Sequence, residues 1–159
     1  METSTLFLLA VAIGLITGLR SMTAPAAVSW AAHLGWIHLE PTALSFLSST
    51  AAAWILTVLA LGELVGDKLP TTPSRKAPLG FVARIVLGGL SGAALLMGSS
   101  ASGIAGGAAG ILGAVAGTLG GYEARTRLVK ALGVPDYVIA VAEDLVAVGG
   151  AYFVVSSFR

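Results

Sequence analysis

Long apolar stretches, separated by short polar or proline-bearing interruptions, set the rhythm of this chain. A membrane-spanning helix needs about 20 mostly apolar residues. Thr5 to Leu19 is apolar, carries no charge and ends at Arg20. Ser21 to Gly35 is shorter and interrupted by Pro25. It is too short to span alone, so it either extends the first helix with a kink or lies re-entrant or at the interface. Trp30, Trp36, His33 and His38 read as an interfacial belt. Pro41 opens a helix, as proline does at a first turn, and Thr42 to Gly66 is the second span. Lys68 to Pro78 is a polar loop in which Pro70, Pro73 and Pro78 forbid continuous helix. Leu79 to Met97 is the third span, with Arg84 in its first turns, and Gly98 to Gly103 is a short connection. Ile104 to Gly121 is the fourth span, and its helix can continue, solvated, through Glu123, Arg125, Arg127 and Lys130 to Leu132. Gly133-Val134-Pro135 is a stop followed by a start. Asp136 suits the dipole of the helix it opens, and Tyr137 to Phe158 is the fifth span.

No segment alternates as a membrane β-strand does. The pattern therefore predicts an all-α, polytopic bundle of four or five spans, in one membrane domain over residues 1–159. Composition agrees. Of 159 residues, 56% are hydrophobic and 11% charged, with a mean hydropathy of +0.91. Soluble domains carry about 25% charge. This excludes a disordered chain, a nucleic-acid binder and an ordinary soluble enzyme. The net charge of +1 gives no global attraction for nucleic acid. There is no cysteine, hence no disulfide, thiolate metal site or thiol nucleophile. Met1-Glu2-Thr3-Ser4-Thr5 lacks a basic n-region, so the first apolar run reads as a retained helix and not a signal peptide. With five spans, one side receives Lys68, Arg75, Lys76, Arg125, Arg127 and Lys130, and the other Arg20 and Arg159. The positive-inside rule then gives a multi-pass protein of the inner (plasma) membrane with a cytoplasmic N-terminus. That orientation fails if Ser21 to Gly35 also crosses.

Two halves invite comparison: about 1–70 and about 103–159, joined by the span at about 79–97. Gly14-Leu15-Ile16-Thr17-Gly18 matches Gly113-Ala114-Val115-Ala116-Gly117, and Ala32-His33-Leu34-Gly35 matches Lys130-Ala131-Leu132-Gly133. Each half then reaches a proline, Pro41 or Pro135, before a helix with paired acids, Glu63/Asp67 or Glu143/Asp144. Such halves would form an inverted repeat, the usual build of secondary transporters.

Glycines recur at four-residue spacing: Gly14 and Gly18; Gly88 and Gly92; Gly106 and Gly110; Gly113, Gly117 and Gly121. That spacing places them on single helix faces as a glycine zipper, where backbones approach closely. The zipper serves either packing within the chain or a homo-oligomer seam or pore lining. Glu143 and Asp144 lie at membrane depth, where a charge costs roughly 2.5–3.5 kcal/mol. They must face the interior and be paired, protonated or bound to a cation. Adjacent positions point about 100° apart, so the two need different partners among Arg20, Arg84, Arg125 and Arg127. Glu63 and Asp67 share a face and are either a solvated helix end or the counterpart of the later pair. Arg20 either snorkels to headgroups or points inward to an acid. His33, His38 and Glu40 have the wrong spacing for a metal on one helical face, and no metal or other cofactor is expected. The chain has no Gly-x-Ser-x-Gly, His-Glu-x-x-His or P-loop motif, so enzyme activity is not expected.

Gly18-Leu19-Arg20, then Glu63-Leu64-Val65-Gly66-Asp67-Lys68-Leu69-Pro70, then Pro135-Asp136 and Glu143-Asp144 carry a resemblance. In these stretches, and over most of its length, the chain resembles an uncharacterised bacterial membrane family, domain of unknown function 4126. The resemblance implies a small multi-span protein, with no activity or functional residue to carry over.

Three functions compete on these residues. The expected function is a transporter or channel-like protein for a small solute or ion, a homo-oligomer that lines a polar cavity with Arg20, Glu63, Asp67, Glu143 and Asp144. A non-transporting scaffold or accessory subunit would pack partners through its glycine faces and use the charges as internal struts. A lipid-handling protein would hold an anionic headgroup at Arg20. A water-reachable pocket at Glu143 and Arg20 favours transport or lipid handling, and a dry, fully paired network favours the scaffold.

Overall fold

The computed structural model describes residues 1–68 and 77–159. Most of the Lys68 to Pro78 loop, with Pro70, Pro73, Arg75 and Lys76, lies outside the described residues. Six α-helices and one 3-10 turn account for the regular structure among those described: α1 (Thr3–Leu19), α2 (Thr23–His33), the turn Ser45–Ser48, α3 (Thr50–Gly66), α4 (Pro78–Met97), α5 (Gly103–Leu132) and α6 (Asp136–Ser156). Three of them, α4, α5 and α6, are long and apolar enough to cross a membrane; α1 and α3 are shorter apolar helices.

Local chemistry sets the boundaries. Pro78 starts α4 at its first turn. Ser102 caps α5 by accepting from the Ala105 N–H, and Gly133, at φ +62°, ends it in the left-handed conformation expected of a glycine stop. Between these, α5 runs unbroken to Leu132. Pro41 does not open α3. It lies in a turn where Thr42 Oγ1 donates to Leu39 O at 2.5 Å, and α3 begins only at Thr50, behind a Ser49 cap that accepts from Ala52 N–H at 3.1 Å. Serine accepts the orphan donors of a first turn, which proline cannot do.

α2 is not a kinked extension of α1. The chain turns back at Arg20–Met22, and α2 descends inside the bundle with Ala24, Val28, Ser29 and Ala31 almost fully buried. Met22 lies beside Glu63 and Trp30 beside Thr57, so α2 runs antiparallel to α3. Ile37 then reaches Gly98, at the far end of α4. Helix directions therefore alternate along all six helices. Met1, Trp36, Gly98 and Arg159 border one cavity at one end, and Arg20, Lys68 and Arg84 stand at the other.

This extra helix changes two expectations. The N-terminus and Lys68 stand at opposite ends, not on a shared side. α1 and α5 run in the same direction, since Gly14 meets Gly110 and Gly18 meets Gly117. An inversion of the proposed halves needs them opposed. The shift comes from α2, which the short span of Ser21 to Gly35 had concealed.

The core forms where α1 lies against α5, α4, α6 and α2, with Ala10 and Ile13 fully buried. Glycines permit the approach. A Cβ on Gly14 would collide with the Gly110 carbonyl, on Gly113 with the Val11 carbonyl, and on Gly117 with the Leu15 carbonyl. At Gly18 it would sit 2.5 Å from Ala114 O and from Thr118 N. Across α4 and α5, Gly92 meets the Gly106 carbonyl and Gly110 the Gly88 carbonyl. Backbone against backbone is the closest packing two helices can reach.

Candidate functional site

The five charged residues singled out from the sequence, Arg20, Glu63, Asp67, Glu143 and Asp144, meet at one end of the bundle. Each arrives by a different route. Arg20 stands just past the end of α1, Glu63 and Asp67 at the end of α3, and Glu143 and Asp144 two turns into α6.

Arg20 is central and fully buried. Its Nε donates to Asp144 Oδ1 at 2.6 Å, its Nη1 donates to Asp67 Oδ2, and its Nη2 faces Ala140 O at 3.5 Å and Glu143 Oε2 at 3.6 Å. It points inward, and every nitrogen of the guanidinium has an acceptor. A planar donor fork suits several acids where a lysine ammonium could not. Glu143 and Asp144 thus share Arg20 and differ in their second partners. Glu143 turns to Arg125 Nη1 at 3.5 Å and Asp144 to Lys68 Nζ at 2.5 Å. The angle between adjacent helix positions is accommodated by the breadth of one guanidinium.

Glu63 works differently. Its Oε1 accepts from the Ser21 backbone N–H at 2.8 Å and from Ser21 Oγ at 2.7 Å, and its Oε2 accepts from the Met22 N–H at 2.8 Å. The carboxylate therefore caps the N-terminus of α2 from another helix, where the dipole favours negative charge. Arg84 Nη2 stands 3.8 Å from Glu63 Oε1. Arg125 is shared three ways: Nη2 pairs with Asp136 Oδ2 at 2.5 Å, while Nη1 is 3.5 Å from Glu143 and 3.9 Å from Asp67.

The sequence reading missed the part played by Ser21, Met22 and Lys68. Met22 acts only through its backbone N–H and Ser21 partly so, and no side-chain pattern marks a backbone donor. A serine directly after a helix-ending arginine was the available signal. Of the predicted packing glycines, Gly14, Gly18, Gly88, Gly92, Gly106, Gly110, Gly113 and Gly117 lie at crossings within the chain, whereas Gly121 borders cavities.

Glu143 and Arg125 also wall a cavity of about 210 Å³ whose other lining is largely aliphatic, including Leu128, Ile139 and Val146. Among the described residues no three His, Cys, Asp or Glu side chains are grouped to hold a metal ion. His33 instead lies 3.1 Å from Ser48 O and edge-on to Trp30.

The cluster is a multivalent ion-pair network that binds the ends of α1 and α3 to α4, α5 and α6. Removing one partner from a buried pair typically costs about 3–5 kcal/mol, because the other charge is left uncompensated. No curated protein and no solved structure matches the chain. A family model described as Domain of unknown function (DUF4126) matches residues 7–157, and the chain belongs to that family.

Proposed function

We propose that this chain is a small, non-enzymatic integral membrane protein, a scaffold or accessory subunit, whose charges clasp its helices and carry no cargo. The saturation of Arg20 carries this reading. A carrier must release and rebind at its site, yet each guanidinium nitrogen of Arg20 already has an acceptor and none is exposed. Glu63 is likewise occupied as a helix cap. The glycine faces are used against helices of the same chain, so a partner would dock elsewhere on the bundle.

In this reading all six helices traverse the bilayer, α2 as a short buried pass completed by the chain after it. Arg20, Lys68, Arg84, Arg125, Arg127 and Lys130 then gather at one end and Arg159 stands at the other. The positive-inside rule makes the clustered end cytoplasmic and places both termini on the opposite face, which, of the two termini, moves only the N-terminus from the side expected with five spans.

Transport of a small solute or ion is the second reading, favoured by the cavity beside Glu143 and Arg125. Solid-supported-membrane recordings on proteoliposomes separate the two. Wild type and Glu143→Gln are compared across pH steps and a panel of ions and small anions. The clasp predicts no current from either protein and a lower melting temperature for the variant. A wild-type current that vanishes in Glu143→Gln establishes transport and overturns the clasp.

A further inference from the structure

The cavity beside Glu143 does not end there. Leu19, Gly121, Ala124 and Val146 border both it and a second cavity of about 510 Å³, which continues along α1, α5 and α6 to Phe153 and Val154. Together they form one aliphatic groove. Along α5 it extends from Ala116 to Leu128, twelve residues, or about 18 Å at 1.5 Å per residue. The hydrocarbon core of a bilayer is about 30 Å thick, so one leaflet is about half of that. The groove is therefore as long as one acyl chain lying in one leaflet.

Its two ends differ. The end at Phe153 and Val154 is apolar. The other end stops at Leu128, on the part of α5 that also carries Arg127 and Lys130, both exposed. Arg125, at the same end, is committed to Asp136 and Glu143. Arg127 pairs with Glu123 at 3.4 Å with its side chain 81% exposed, an arrangement worth little in water. Lys130 has no ion-pair partner among the described residues. An aliphatic groove of leaflet length, with two exposed cations on the turns of α5 at its end, is complementary to an amphiphile with a hydrocarbon tail and an anionic head.

We propose that this groove holds one acyl chain of an anionic phospholipid, with the phosphate-bearing headgroup at Arg127 and Lys130. Small side chains at Gly120, Gly121 and Ala124 leave the room the chain occupies, and a Cβ on Gly120 would meet open space. This departs from the expectation of a headgroup at Arg20, which is buried among acids.

Native mass spectrometry of the full chain, after incubation with an equal mixture of phosphatidylglycerol and phosphatidylcholine, tests the assignment. Wild type is expected to retain phosphatidylglycerol in preference. The double variant Arg127→Gln/Lys130→Gln is expected to lose that preference by roughly fivefold for each charge removed while still retaining lipid. Gly120→Phe, which fills the groove, is expected to retain neither lipid, with circular dichroism confirming that it folds. If it fails to fold, the exposed-charge variant decides alone. Equal retention of the two lipids by wild type, unchanged selectivity in the charge variant, wild-type retention by folded Gly120→Phe, or a dimer mass in place of the lipid adduct each overturns the proposal.

Discussion

Glu63 and Ser21 form the joint at which the chain reverses. One carboxylate oxygen takes both the backbone N–H and the hydroxyl of Ser21, at 2.8 Å and 2.7 Å, and the other oxygen takes the next backbone N–H. The two backbone donors just ahead of α2 are thereby satisfied inside the bundle by a side chain from α3. Charge-assisted hydrogen bonds of this kind contribute about 1.5–3 kcal/mol each. Glu63→Gln keeps one acceptor oxygen but sets an amide donor against one of these donor groups. It is expected to lower unfolding free energy by about 2 kcal/mol, and Glu63→Ala by more, in denaturant titrations of the detergent-solubilised protein. Equal stability of Glu63→Ala and wild type would remove the cap from the account.

Arg20→Met keeps much of the side-chain volume and deletes the fork that joins Asp67, Glu143 and Asp144. The expected loss is about 3–5 kcal/mol, the usual cost of stranding a buried charge. Asp144→Asn is expected to cost less, because Arg20 retains Asp67 and Glu143. Arg20→Lys should fall between wild type and Arg20→Met, since one ammonium cannot span all three acids. The same titration ranks the four proteins.

The helix crossings predict a paired contrast among glycines. A methyl at Gly14 or Gly110 meets backbone carbonyls, so Gly14→Ala and Gly110→Ala should each destabilise by about 1–3 kcal/mol through overpacking. Gly62→Ala, in open space on α3, should be neutral or raise stability by up to about 1 kcal/mol through helix propensity. Thermal unfolding of the three variants reads the difference.

The absence of native cysteine makes topology directly measurable. Single replacements Ser4→Cys, Ser157→Cys and Lys130→Cys are exposed to a membrane-impermeant thiol reagent in intact cells. Alternating helix directions predict that Ser4→Cys and Ser157→Cys label and Lys130→Cys does not. Labelling of Lys130→Cys together with protection of Ser4→Cys would reverse the assigned orientation. Opposite behaviour at positions 4 and 157 would mean an odd number of passes.

Much of the architecture was legible because apolar length, proline and glycine act locally. The Gly133 stop and the unbroken run of α5 to Leu132 both follow from rules that operate within a few residues of each site. What stayed hidden depends on distant groups. Ser21 to Gly35 looked too short to pass through the bundle, because its reversal is held by a carboxylate 42 residues away. That one element changed the direction of every helix after it and left α1 and α5 parallel. Pro41 misled for a related reason. Proline tolerates a helix start without requiring one, whereas Ser49 supplies the acceptor that α3 uses.

Arg20 also imposes an order on synthesis. Its residue leaves the ribosome early, but Asp144 follows 124 residues later, as part of the last helix. Until α6 arrives, the arginine has Asp67 as its available clasp partner, one of the three acids it finally meets. The final helix is therefore the closing piece of assembly. A chain interrupted before Asp136 would present an under-paired cation at the end of the bundle, the kind of defect by which quality control can distinguish an unfinished bundle from a finished one.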